Sequence, residues 1–313
     1  MDFLFAAGAV AFCGLALFGS MGWKWRDHMN ARWKKTLDAL NATSLGPLEM
    51  ECRHGDVLVR ARMRSFADEG NGLEVEAKTL LDGLPAFAIR PWQSMRPDPG
   101  ANRLSLPDDL EPEFVARFYV EAADADAVAP FLSDGAVRSM LLSLPKATRL
   151  VSDGTRVKVV VLGSLGPAER TAAAVELAAH IAGAGHPLLT RLRDDPRLDE
   201  VAPAWAPICF EARRGTTVVH VLGVWREGPA LVLHADAGRA MEPFDARWDE
   251  RGQADGQLPP GLEGLVQSAP RGTRLHHDGA ELRMTCVPDD TLQSNIDLIA
   301  RLADGGGSGG AFR

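Results

Sequence analysis

Six residues of this chain recur in step, always 125 positions apart. Pro145, Thr148, Arg149, Leu150, Asp153 and Gly154 in PKATRLVSDGTRVKVVV (145–161) return as Pro270, Thr273, Arg274, Leu275, Asp278 and Gly279 in PRGTRLHHDGAELRMTC (270–286). Further upstream, MECRHGDVLVRARM (50–63) corresponds to FEARRGTTVVHVLG (210–223), with Gly55 against Gly215 at an offset of 160. Self-similarity of this kind means that one structural unit is written twice, so the fold has to satisfy both copies. The fall in offset shows that the second copy has lost about 35 residues between its two blocks. The loss covers a polar, proline-rich loop (93–113) and the stretch around Phe114–Ala122.

Within each copy the pattern alternates between β and helix. Residues 48–52 and 57–65 alternate in polarity around the turn Arg53-His54-Gly55-Asp56, which predicts a hairpin. Residues 72–81, 84–92 and 114–122 read as further strands, and 147–163 as a second hairpin around Ser152-Asp153-Gly154. Helical spacing marks Asp124–Leu132, Asp134–Leu144 and 168–185, and in the second copy Asp290–Ala303. The expectation is an α+β fold of two related units, 45–184 and 204–304. Each is an antiparallel meander, a helix, a hairpin and a closing helix, the second being shortened. A charged linker (185–203) joins them and a glycine-rich, disordered tail (305–313) follows.

The N-terminus adds a different element. Phe3 to Gly19 holds no charged side chain, and with Ser20, Met21 and Gly22 the run reaches about twenty residues, the length that crosses a bilayer core at 1.5 Å per residue. A cleaved leader would need a basic start and a small-residue cleavage site, and neither is present. The expectation is an uncleaved transmembrane anchor over 1–22, inserted in a bacterial inner membrane through residues 3–22. Trp23, Lys24, Trp25 and Arg26 are its interface anchors, and the positive flank places the body in the cytoplasm. A juxtamembrane amphipathic helix (23–44) comes next, with Met29, Trp33, Leu37 and Leu40 on one stripe.

Composition removes several functions. A net charge of −8 argues against a nucleic-acid binder, which needs a dominant basic face. No glycine-rich loop follows a strand with the spacing of a phosphate site, and Gly163-Ser164-Leu165-Gly166 lacks the spacing of a hydrolase elbow. His276-His277-Asp278 is the most metal-like cluster, but adjacent strand histidines point to opposite faces. His220 and His234 would face one another only in one strand register. The acidic doublets at 108, 124 and 289 precede apolar or helical runs and read as helix caps. Arg149 and Arg274 read as partners of carboxylates beside their hairpins. Cys52, Cys209 and Cys286 read as free thiols within strands.

One stretch is familiar. FVARFYVEAAD followed by APFLSDGAVRSMLLSLP and a D-G hairpin, over about 114–162, resembles bacterial membrane-associated domains of unknown function of the DUF3137 type. That resemblance implies a membrane-associated bacterial domain and carries over no catalytic motif. The reading is therefore a non-enzymatic, membrane-tethered interaction or scaffold module, with no catalytic, cofactor-binding or metal-binding residues. It binds a protein partner in an envelope-associated assembly, with Trp225 and Trp248 as the candidate partner surface. The alternative is a small-molecule or ion sensor with its ligand between the two units.

Overall fold

The computed structural model describes residues 27–92, 103–106, 110–164, 166–184, 186–202, 207–226, 228–237, 243–248, 254–256, 273–286 and 291–304. They form two eight-stranded antiparallel sheets and seven helices. The architecture expected from the sequence, which begins with a membrane-spanning helix, is corrected here. Among the described residues no helix is long and apolar enough to cross a membrane. The expected span (3–22), the anchors Trp23, Lys24, Trp25 and Arg26, and the tail lie outside the described residues.

The first sheet contains β1 (Thr43–Gly46), β2 (Glu49–His54), β3 (Val57–Phe66), β4 (Gly70–Lys78), β5 (Ala86–Pro91), β6 (Phe118–Ala122), β7 (Thr148–Asp153) and β8 (Arg156–Leu162), in the order β1-β2-β3-β4-β8-β7-β5-β6. The second contains β9 (Asp199–Glu200), β10 (Cys209–Arg214), β11 (Thr217–Trp225), β12 (Pro229–Asp236), β13 (Phe244–Trp248), β14 (Ala254–Asp255), β15 (Arg274–His277) and β16 (Glu281–Cys286). Its order is β9-β10-β11-β12-β16-β15-β13-β14. The two sheets are threaded alike, strand for strand. In each, the late hairpin enters between the meander and the strand that follows it.

The recurring residues account for the recurring shape. Asp153 Oδ1 accepts from the backbone N–H groups of Thr155 and Arg156 at 3.0 and 2.8 Å, and Asp278 Oδ1 from Ala280 and Glu281 at 3.0 and 2.9 Å. Each Asp is followed by a glycine at positive φ, Gly154 at 92° and Gly279 at 102°, where a Cβ would be strained. Gly55 and Gly215 turn their hairpins at φ 58° and 60°. Thr148, Thr273, Leu150 and Leu275 are all buried.

Helix α1 (27–40) buries Met29 and Trp33. Residues 114–122, expected as one strand, divide instead. Pro112 sits in the first turn of helix α2 (Pro112–Arg117), Phe114 is its buried residue, and β6 starts only at Phe118. Helices α3 (Ala125–Ser133) and α4 (Gly135–Ser143) follow; Asp124 caps the first as its position suggested, and Asp134 caps the second. α5 (Ala168–Ala182) covers β3, β4 and β8. The expected linker contains a helix, α6 (His186–Arg193), because Leu188, Leu189 and Leu192 make a stripe that buries. α7 (Leu292–Ala303) covers β11, β12 and β16, the counterparts of the strands under α5.

The units are joined by main chain. β4 stops at Lys78, and the next residues leave the first sheet for the second. The N–H of Ile208 donates to the Leu80 carbonyl (3.2 Å), that of Asp82 to Gly223 (2.9 Å) and that of Trp225 to Asp82 (2.6 Å). Asp82 and Val224 thereby form a parallel bridge. Gly223 permits the approach, since a Cβ there would lie 2.7 Å from Leu81 Cδ2. Phe131 of α3 packs on Trp225 at 5.2 Å between ring centroids. Buried apolar residues of both sheets make one continuous core.

Leu81 is fully buried at this junction. Leu81→Ala should cost about 2–5 kcal/mol, the range for emptying a packed leucine site. Urea unfolding followed by tryptophan fluorescence reads this, and an unchanged midpoint would contradict the assigned junction.

Candidate functional site

Alternation along the strands gives each sheet a buried inner face and a polar outer face. On the first sheet the outer face is a lattice of ion pairs. Arg60 bonds Glu51 at 2.7 Å, Arg62 and Arg64 converge on Glu74 at 2.6 and 3.2 Å, and Arg156 bonds Glu76 at 2.5 Å. Glu74 is only 8% exposed, so its two arginines replace the water it has lost. Arg149 pairs with Glu69, and Arg274 of the second sheet with Asp245, the second pair holding the Asp245 carboxyl below the usual range.

The outer face of the second sheet carries histidines. The pairing of β10 with β11 sets Glu211 opposite His220, and that of β11 with β12 sets His220 opposite His234. The row continues to Arg283, His276 and Asp245. The rings of His220 and His234 stack at 4.7 Å between centroids and 20° between planes, and Glu211 Oε1 lies 3.5 Å from His220 Nδ1. Burial, then the charge of His220, lower the pKa of His234. The neighbours 276 and 277 diverge: His276 points outward, whereas His277 is fully buried against Phe244. They do not converge on one ion, and among the described residues no group of three or more histidine, cysteine or carboxylate side chains is disposed to hold a metal.

The described cysteines are free thiols set into strands. Cys52 and Cys286 are buried and Cys209 is half-buried. Burial followed by a neighbouring glutamate raises the thiol pKa of Cys52 and of Cys209, which disfavours the reactive thiolate.

The tryptophans expected as a partner surface need correction. Trp248 is 3% exposed, its ring drawn into the core by the inward phase of β13, so it presents no surface. Trp225 is half-buried at the junction against Phe131. Exposed apolar side chains occur elsewhere. Leu45 (47% exposed) lies on β1, and Val201 (41%) directly follows β9, its N–H still bonded to Cys209 at 2.9 Å. β1 and β9 are the corresponding outermost strands of the two sheets. Sequence reading passed over both, because each is one aliphatic residue in a short polar segment without enough length for a visible period. Trp92 and Val115 are also exposed, beside one another, with the Trp92 indole N–H donating to the Val115 carbonyl at 3.0 Å.

Among the hollows that the described residues line, one of about 480 Å³ lies against Met29, Met63 and Glu69, within the first unit. Another of about 580 Å³ lies between Arg214 and α7, within the second. The junction itself is filled by Leu80, Leu81 and Trp225. No protein-family model matches this chain, and no curated protein or solved structure matches it at a significant level.

Asp195 ties the segment after α6 to α7. It accepts from the Arg197 guanidinium at 2.9 and 3.0 Å and from Gln293 Nε2 at 2.6 Å. The bond from Arg197 is the main cause that holds its pKa down at about 2. A lowered carboxylate contributes stability above its unfolded pKa, near 3.9, and that contribution is lost as pH falls through about 2. Arg197→Ala should move the Asp195 titration up toward the ordinary carboxylate range in a carboxyl-detected NMR titration. No movement would mean that Arg197 does not hold the carboxylate.

Proposed function

We propose that this chain is a non-enzymatic protein-interaction module that receives an extended partner segment at the edges of its sheets. The observation that carries this reading is the placing of Leu45 and Val201, two exposed aliphatic side chains, on corresponding edges of two sheets threaded alike. An outermost strand offers backbone N–H and C=O groups to an incoming strand, and a nearby apolar side chain supplies the contact that selects it. β1 is uncharged along Thr43–Gly46, so its partner would be an extended, mainly apolar segment. β9 is the short pair Asp199–Glu200, and Glu200 is already held by Arg193 at 2.9 Å, so a partner there would be selected by main-chain pairing and an apolar contact with Val201.

Three further points favour an interaction module. The acidic net charge disfavours nucleic acid as the partner. The sequence carries no motif for nucleotide, hydrolase or thiol chemistry. The junction where a sensor's ligand would sit is occupied by leucine and aromatic side chains and by main-chain bonds. A ligand site of ordinary size needs a cavity with converging polar groups, and the charged groups beside the junction are paired with one another, Arg193 with Asp56 at 2.5 Å and with Glu200 at 2.9 Å.

The test is a crosslinked pull-down with the full chain and with Leu45→Asp/Val201→Asp, each read by mass spectrometry beside a thermal melt. The full chain should recover a stoichiometric partner, and the double variant should lose at least about tenfold of it with an unchanged melting temperature, since exposed positions contribute little to stability. Equal recovery by both chains would overturn the edge reading.

A further inference from the structure

The two sheets can be compared across the same transverse row. In the first it reads Glu51, Arg60, Glu76, Lys158, Val151 and Ala88. In the second it reads Glu211, His220, His234, Arg283, His276 and Asp245. The first row alternates in sign over its first four members and holds no histidine. In the second, the complementary pair Arg60–Glu76 is replaced by two groups of one kind. The register puts those two imidazoles directly opposite each other with their rings stacked at 4.7 Å. Two neutral rings pack well in that arrangement, whereas two imidazolium ions at the same separation repel.

We propose that the stacked His220–His234 pair is a proton-sensitive switch confined to the second sheet: neutral and packed at pH 7, and split on acidification, when the row gains positive charge. The surroundings set the order of events. From β10, Glu211 stands beside His220 Nδ1 and is placed to hold the first proton, with Arg213 further along the strand. From β16, Arg283 stands opposite His234, tied to Glu281 at 2.6 Å, and Asp236 lies two residues along β12. Beyond Arg283 come His276 on β15, paired with Asp245 on β13, and the Arg274–Asp245 ion pair. His276 Nδ1 is buried and has no hydrogen-bond partner among the described residues. The second proton therefore has to enter between a charged neighbour on β11 and an arginine on β16, on a ring that burial already keeps neutral.

The sign of the effect follows. His234 is lowered in the fold, so the unfolded chain binds its proton first as pH falls. Stability from the His234 contribution is complete above about pH 6.5 and declines as pH falls below that value. The first sheet has arginine and glutamate, Arg60 and Glu76, at the same places. This inference does not depend on the edge-binding reading, because it is read on the chain alone.

The experiment measures the melting temperature of the full chain at pH 7.5 and 5.0, beside the ring resonances of both histidines in an NMR pH titration. His220→Arg/His234→Glu transplants the first sheet's pair, and every other histidine is left in place. The unmodified chain should lose more on acidification than the transplant does, by roughly 2–4 °C, and His234 should titrate below the free imidazole value. If the transplant fails to fold, His234→Gln replaces it and should show the same reduced loss. An equal loss in the variant, or a His234 titration at or above the free value, would overturn the proposal.

Discussion

The bonds that carry residues 80–82 out of the first sheet and into the second are the constraint on which the rest of this structure depends. A side-chain interface between two units can slide, but paired main chain fixes direction and register together. Asp82 donates to Gly223 and accepts from Trp225, so its position along β11 is set to the residue. Leu81 is then directed onto Gly223, where no side chain competes for space. From that point Phe131 reaches Trp225, and the inner faces of both sheets close on one continuous core. Because that core occupies the inner faces, what the molecule offers to others is its outer faces and its edges.

The two halves share a path and differ in surface. The residues that recur are those the path requires: the Asp-Gly turns, the inward threonine and leucine of each late hairpin, and an arginine beside each. Their partners were free to change. Arg149 uses a glutamate from the turn after β3, and Arg274 uses an aspartate on β13. On the outer face the difference goes further, from a lattice of arginine and glutamate to a row built around histidine.

Much of the fold was legible because turns and alternation are local. The hairpins at Gly55, Gly154, Gly215 and Gly279 announce themselves in four-residue windows, and α5 and α7 in their apolar spacing. The misreadings have a common cause in tertiary packing. Phe114 to Ala122 has strand composition throughout, yet Pro112 and the burial of Phe114 turn its first part into helix. Residues 186–193 looked like a charged linker because two arginines conceal a leucine stripe that only a neighbouring core makes useful. The candidate site was legible in part. His220 and His234 could be named from the sequence, but their register depends on the β11–β12 pairing. Trp248 was misplaced because the phase of β13 is fixed by its pairing with β15. The edge residues left no periodic signal at all.

The two units form one cooperative body through the junction, and native-state hydrogen exchange tests this most directly. The amides of Asp82, Ile208 and Trp225 should exchange only by global unfolding, as slowly as those in the centres of β4 and β11. If these three exchange by local opening, while the two sheets report different opening free energies, the junction does not unite the units.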